Sequence, residues 1–327
     1  MTLIELMVAL AIGSFLIIGA LTVFSQSRTT FRINESIARL QENARFVFDV
    51  MEPEIRMANF WGLRTRAYTI DGRAEDDVPL SGVVSGDCDV DWTIDLDRAV
   101  AGTNNDYDWP SCNPGPTGAT EVTTADTLVI RRAGVDVIDP LSLNTLYVQT
   151  TLGDAAELFL DDDIPASFNP DRSETHQLVV NGFYVSQDSA LSTAGNSVPS
   201  LRRKRLRNGN GGDPSIVDEE ILPGVEDMQI QFGVDTDVLG SAERGVIDQY
   251  VNPDDPILDP DDAAYLIDAE ILSVRIWLRL RGDRLEQGLP VNNGYTYADQ
   301  VIGPINDGFR RIVVSKTIYI RNARPPE

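Results

Sequence analysis

Apolar and small residues run almost unbroken from Met1 to Phe24, MTLIELMVALAIGSFLIIGALTVF, and Glu5 is the only charge among them. As a helix this segment would reach about 36 Å, enough to cross a hydrocarbon core of about 30 Å. The reading is a membrane span over 1–24. A secretory signal is the alternative, but the basic stretch and the small-residue cleavage site that flank such a signal are not in the pattern. Beyond the span, Ile33, Ile37, Leu40, Ala44, Val47 and Met51 fall alternately four and three apart, which continues one apolar stripe along a helix. Arg32, Glu35, Arg39, Glu42 and Asp49 lie off that stripe, and Glu35 with Arg39 forms an i,i+4 pair. One helix is therefore predicted over 1–60, half in membrane and half in water. A kink or break is expected at Pro53, with the helix ending before Gly62.

After Trp61 the periodicity changes to two. Val274, Ile276, Leu278 and Leu280 alternate with Arg275, Trp277, Arg279 and Arg281, and Ile312, Val314, Ile318 and Ile320 repeat the pattern around Lys316. Weaker strand signals occupy 127–132, 145–151, 177–186 and 228–234. Turn-rich stretches at 208–214 and 252–262 separate them, and the second is too acidic and proline-rich to suggest regular structure. The pattern predicts an α+β architecture: the helix over 1–60, an irregular region over 61–125, and an antiparallel β-sheet head over 126–327 with an acidic insertion near 235–268.

Composition sharpens this picture. The 327 residues hold 27 Lys+Arg against 51 Asp+Glu, a formal net charge of −24, with 42% hydrophobic and 7% aromatic residues. The apolar content supports a folded core rather than a disordered acidic tail. So negative a chain is not expected to take nucleic acid as a direct ligand, because phosphate backbones are bound by net basic faces. The acidity is localised: residues 1–60 carry five arginines and six acids, so the remaining 267 residues carry −23.

Candidate chemistry is sparse. Cys88 and Cys112 are the only cysteines. In an anchored chain whose body lies outside the cytoplasm they are expected to pair and staple the loop between them, the alternative being two unrelated buried thiols. His176 is the single histidine, so a multi-histidine metal site is excluded and a Ser/His/Asp relay would rest on this one residue. No nucleophile elbow, phosphate loop or dinucleotide glycine pattern is present, and no catalysis is expected. Asp235, Asp237 and Asp248 carry a weak suggestion of a Ca²⁺ loop, without the glycine and the distal acid such a loop needs; no cofactor is otherwise expected. The run Arg202-Arg203-Lys204-Arg205-Leu206-Arg207 stands out in so acidic a chain. It reads either as a basic patch that docks an acidic partner or as a strand whose cations balance nearby acids.

The N-terminus Met1-Thr2-Leu3-Ile4-Glu5-Leu6-Met7-Val8-Ala9-Leu10 resembles type IV pilins after prepilin-peptidase cleavage, with an acid at the fifth position. Residue 1 is usually Phe in that family and is Met here, so both a processed first residue and an initiator remain as readings of Met1. Three further stretches, Leu222 to Asp237, Ala269 to Arg281 and Phe309 to Asn322, are similar to PilW-type minor pilins, as is Arg56-Met57-Ala58-Asn59-Phe60-Trp61-Gly62. The resemblance implies the pilin fold, a long helix packed on an antiparallel sheet. It implies N-methylation at Met1 and an assembly contact in which Glu5 pairs with the N-terminal amine of a neighbour. Its expected partners are other major and minor pilins through a helix bundle, the inner-membrane assembly platform, prepilin peptidase and a tip adhesin. The chain is then expected in the inner membrane with a periplasmic head before it enters an extracellular filament, priming or capping assembly and serving adhesion, twitching motility or DNA uptake. A type II secretion pseudopilin and a membrane-anchored periplasmic enzyme are the alternatives.

Overall fold

The computed structural model describes residues 2–323 except 65, 83, 87, 110, 153, 154, 162, 163, 167, 168, 170, 210, 239, 261, 287 and 292. Helix α1 (Leu3–Arg56) is 54 residues long and starts at Thr2, whose side chain caps it. Its N-terminal part is exposed along its length, whereas Leu40, Ala44, Val47, Phe48, Met51 and Ile55 are buried. These six continue the predicted stripe, each stabilising the fold by about 1.5–3 kcal/mol if it is a large side chain. The helix does not break at Pro53; it runs one more turn. That turn is held from outside, because Arg321 N–H donates to the Arg56 carbonyl at 2.9 Å and Asn322 Nδ2 to the Ala58 carbonyl at 3.3 Å.

The strands divide by sequence into two sheets. The first contains β1 (Ser85–Gly86), β2 (Val100–Ala101), β3 (Leu128–Ala133), β4 (Leu146–Thr151), β5 (Ala156–Leu160), β6 (Ser173–Ser186), β7 (Ser200–Arg207) and β8 (Ser215–Pro223). Their order is β1-β8-β7-β6-β3-β2, with β4 paired to β5 and to the first half of β6. The pairings are antiparallel except β1 with β8. The second sheet begins with β9 (Val225–Asp235), β10 (Gln249–Val251) and β11 (Glu270–Leu285); β12 (Tyr295–Tyr297) and β13 (Gln300–Ile302) form a separate hairpin. Strand β14 (Phe309–Tyr319) completes it in the antiparallel order β10-β9-β11-β14. Among the described residues the head is thus two large sheets and a separate hairpin where one sheet was expected, and α1 lies across β11 and β14 of the second.

One glycine makes the switch between them. Gly224 sits at φ +89°, donates its N–H to the Pro199 carbonyl at 2.6 Å and accepts from Arg281 N–H at 2.7 Å. A Cβ there would stand 2.9 Å from the Arg281 carbonyl oxygen, so the Pro223-Gly224 pair lets β8 pass into β9 with no loop.

Two cores result. One unites the α1 stripe with Met228, Ile230 and Phe232, with Val274, Ile276 and Leu278, and with Leu128, Ile130, Phe183 and Val185 of the first sheet. The other packs Trp61, Ile70, Trp92, Ile94, Leu96 and Trp109 on Val129, Val180, Tyr184 and Leu206. Neighbours along β3 therefore serve opposite cores, as strand geometry requires. The irregular segment over 61–125 contributes helix α2 (Val90–Ile94) and covers the outer face of the first sheet. In the acidic insertion, where no regular structure was expected, Asp255 caps a short 3₁₀ turn at Pro256–Leu258 by accepting from Ile257 N–H at 3.1 Å.

Candidate functional site

The N-terminal half of α1 presents a continuous apolar surface, with Leu3, Met7, Leu10 and Phe15 all more than three-fifths exposed. A surface of this size is normally covered by lipid or by another protein. Glu5 sits in its first turn. The Glu5 carboxylate accepts from Thr2 N–H at 2.8 Å, and Glu5 N–H donates to Thr2 Oγ1 at 3.4 Å, a reciprocal cap that satisfies two orphan donors of the helix start. Met1, the other half of the expected assembly contact, lies outside the described residues.

The basic run forms β7, and strand alternation sorts it onto two faces. On one face Asp218 of β8 accepts from Arg202 at 2.5 Å, lies 3.1 Å from Lys204 Nζ and also receives the Tyr184 hydroxyl. Lys204 is almost completely buried and donates to the Asn113 carbonyl at 2.5 Å, while Gly115 N–H donates to Tyr184 Oη at 2.7 Å. Burial, with Asp218 beside it, pushes the Tyr184 hydroxyl far above the ordinary tyrosine range. On the other face Arg203 pairs with Glu219 at 2.6 Å, and Arg207, half exposed, shares the same carboxylate. Arg205 stands between them, and burial and its arginine neighbours lower its pKa. The run is therefore not one exposed basic patch. Arg202 and Lys204 face inward together, because consecutive residues of a strand point to opposite faces and alternate ones share a face. Arg202 is held by Asp218 and Glu220 of β8, and Lys204 holds the chain's own loop at Asn113.

Cys88 and Cys112 are disulfide-bonded and buried in that loop, just before Asn113. Above it the indoles of Trp92 and Trp109 pack at a centroid distance of 5.4 Å. They lie over Gly182 of β6, where a Cβ would come 2.7 Å from Trp109. Arg131 of β3 is equally buried and closes α2: its guanidinium donates to the Trp92 carbonyl at 2.6 and 3.0 Å and to the Arg98 carbonyl at 2.8 Å. Burial lowers its pKa to about 10. The pattern reading missed this anchor, although a charged residue inside Leu-Val-Ile-Arg-Arg-Ala was the signal for it.

The remaining sequence candidates have structural surroundings. His176 lies on β6 with Nδ1 3.1 Å from the Asp136 carbonyl and Nε2 3.4 Å from Glu174, and Phe60 meets its ring edge-on. Asp235, Asp237 and Asp248 do come together, with carboxylate oxygens within 4.8 Å of one another. The carboxylates of Asp235 and Asp248 are already engaged, whereas Asp237 Oδ2 is buried without a hydrogen-bond partner among the described residues. Asp235 accepts from Asp237 N–H at 2.9 Å and Gly245 N–H at 2.5 Å, Asp248 accepts from Thr236 N–H at 2.7 Å, and Arg244 Nε stands 3.7 Å from Asp235.

On the outer face of the second sheet, Glu226 gathers Arg311 at 2.7 Å, Arg279 at 3.2 Å and Arg281 at 3.7 Å. These arginines come from β11 and β14, so the acid ties three antiparallel strands together from the side opposite the helix. Residues 182–322 match the PilW family, described as type IV pilus-assembly protein W. The PilW-matched segment holds Gly182 and Tyr184, the charged ladder of β7 and β8, the Gly224 switch and the whole second sheet. The helix and the disulfide loop lie before it. Among solved structures, a type IV-like pilin, TTHA1219 from Thermus thermophilus, aligns at 12% identity and a TM-score of 0.37 over 88% of this chain and 98% of that one. No curated protein sequence matches.

Proposed function

We propose that this chain is a minor subunit of a type IV pilus, a non-enzymatic protein that helps prime or cap the filament and supports adhesion, twitching motility or DNA uptake through its partners. The observation that carries the reading is the PilW match over the very sheet that clamps the helix, while the helix's first half is left apolar and uncovered. In this reading the span holds the subunit in the inner membrane with its head in the periplasm, where prepilin peptidase and the assembly platform meet it. Leaving the bilayer, the same surface enters a bundle of neighbouring pilin helices. A lone carboxylate in that bundle costs several kcal/mol unless paired. Glu5 would exchange its bond to Thr2 for the terminal amine of a neighbour, with Met1 as the methylated residue.

Deletion should abolish surface pili and leave exoprotein secretion intact. Loss of secretion with pili intact would instead favour a type II secretion pseudopilin. Mass spectrometry of sheared filaments should detect this chain with a methylated N-terminus. Glu5→Ala should enter filaments poorly; incorporation equal to the parent would remove the pairing role.

A further inference from the structure

Where the bare helix meets the head, a cleft of about 1100 Å³ opens between residues 24–39 of α1 and residues 283–286 and 288–290 at and after the end of β11, with Arg310 of β14. Five arginines and three acids line it, a net +2 in a chain of −24. All three acids are committed: Glu35 to Arg39 at 2.7 Å, Asp283 to Arg39 at 3.4 Å and Glu286 to Arg310 at 2.7 Å. Arg284 is exposed and only 3.8 Å from that shared Asp283. Arg28 and Arg32, one turn apart on the helix, are exposed and have no ion pair among the described residues. Phe24, Phe31 and Leu285 supply an exposed apolar wall beside these cations.

Depth identifies the occupant. If residues 1–24 fill the hydrocarbon, the headgroup layer beyond is about 5–8 Å thick. Arg28, about 6 Å past Phe24 along the axis, lies within it, and Arg32, at about 12 Å, stands at its outer edge and reaches back to it with its long side chain. We infer that this cleft binds the headgroup of an anionic phospholipid, its phosphate on Arg28, Arg32 and Arg284 and its acyl end along Phe24 and Phe31. The inference rests on the membrane-span reading. It adds to it a lipid-selective seat that holds the head against the bilayer before assembly.

The full chain in detergent micelles, titrated with phosphatidylglycerol, phosphatidylcholine or inorganic phosphate, can be examined by native mass spectrometry. The expected result is retention of phosphatidylglycerol over phosphatidylcholine by at least about fivefold, the contribution of about one interfacial arginine. That preference should vanish in Arg28→Gln/Arg32→Gln/Arg284→Gln and persist in Arg45→Gln, a control on an exposed arginine outside the cleft. Equal retention of the two lipids, or a preference that survives the triple substitution, would overturn the inference. Displacement of the lipid by millimolar phosphate would make this a free-anion site and overturn it too. So would a triple variant with unchanged lipid retention that no longer crosslinks to neighbouring pilins, which would mark a protein-docking face. Flotation with phosphatidylcholine vesicles separates the two readings: a chain that floats without lipid preference loses only the cleft, and one that does not float loses the span as well.

Discussion

The second sheet meets the helix with Met228, Ile230, Phe232, Val274, Ile276 and Leu278, all fully or almost fully buried, whereas the first sheet turns the buried cations Arg131 and Lys204 toward the segment over 61–125. The difference follows from what each sheet has to cover it. A regular helix offers a matching apolar stripe with its own backbone already satisfied, so side-chain area alone can join it to a sheet. An irregular segment offers bare carbonyls, such as those of Trp92, Arg98 and Asn113. Buried carbonyls require donors, and the long cationic side chains of β3 and β7 reach them. The head is thus assembled with an apolar grip on the spine and a covalently stapled outer layer whose apolar core is supplemented by buried cations that satisfy its carbonyls.

Substitutions can test this contrast, beginning with the largest effect. Asp218→Ala would leave Lys204 and Arg202 without the carboxylate they share inside the first sheet, a loss of about 3–5 kcal/mol that denaturant unfolding would measure. Asp218→Leu combined with Lys204→Met should recover much of it. If the single substitution costs under about 1 kcal/mol, the ladder does not hold the outer layer. Removing the disulfide by Cys88→Ser/Cys112→Ser, with a sequence separation of 24, should cost about 3–4 kcal/mol in the chain-entropy model. Limited proteolysis should then cut first within 61–125 while the α1 and second-sheet core stays protected. Cleavage beginning in the second sheet would show that the two regions are not independently held.

The smallest effect concerns the seam between them. Asp126, next to β3, accepts from Asn105 N–H at 2.8 Å and from Ile230 N–H of β9 at 2.6 Å, so it ties the stapled segment to the second sheet. Burial pushes its carboxyl up to about 7, against those two donors and with Asp299 and Asp227 adding to the rise. The folded state therefore binds a proton more tightly than the unfolded chain. The resulting stability is complete below the unfolded value near 3.8 and is lost as pH rises through about 7. The expected outcome is a Tm that falls by a few degrees between pH 5 and 8 and a flatter profile in Asp126→Asn. Identical profiles for parent and variant would remove Asp126 from that role.

Much of the spine was readable in advance. The stripe through Leu40, Ala44, Val47 and Met51 and the alternation from Val274 to Leu280 are both buried as their periods required, because a helix or strand with one apolar face has one way to hide it. The six strands signalled by pattern are present, and residues 200–207, one of whose two readings was a balanced strand, form β7. The strand at Ser215–Pro223 gave no comparable signal, since Val217, Asp218, Glu219 and Glu220 look like a solvated turn until β7 supplies their cations. Pro53 was misleading for a related reason. Its local cost was visible, but the bonds that Arg321 and Asn322 make to the helix end were not, since they come from residues more than 260 positions away.

From its one-dimensional pattern, then, the chain determined a membrane-length apolar helix, its amphipathic continuation, a mainly β head and a candidate cysteine pair. Each depends on local periodicity or on residue type alone. Only the tertiary structure decided that the head is two sheets switched at Gly224, that the basic run holds the stapled loop instead of forming one open patch, and that arginines of the helix and of the β11 end face each other across one cleft. Those outcomes depend on which distant residue satisfies a buried charge or carbonyl. Pairing of that kind is a property of the folded chain as a whole.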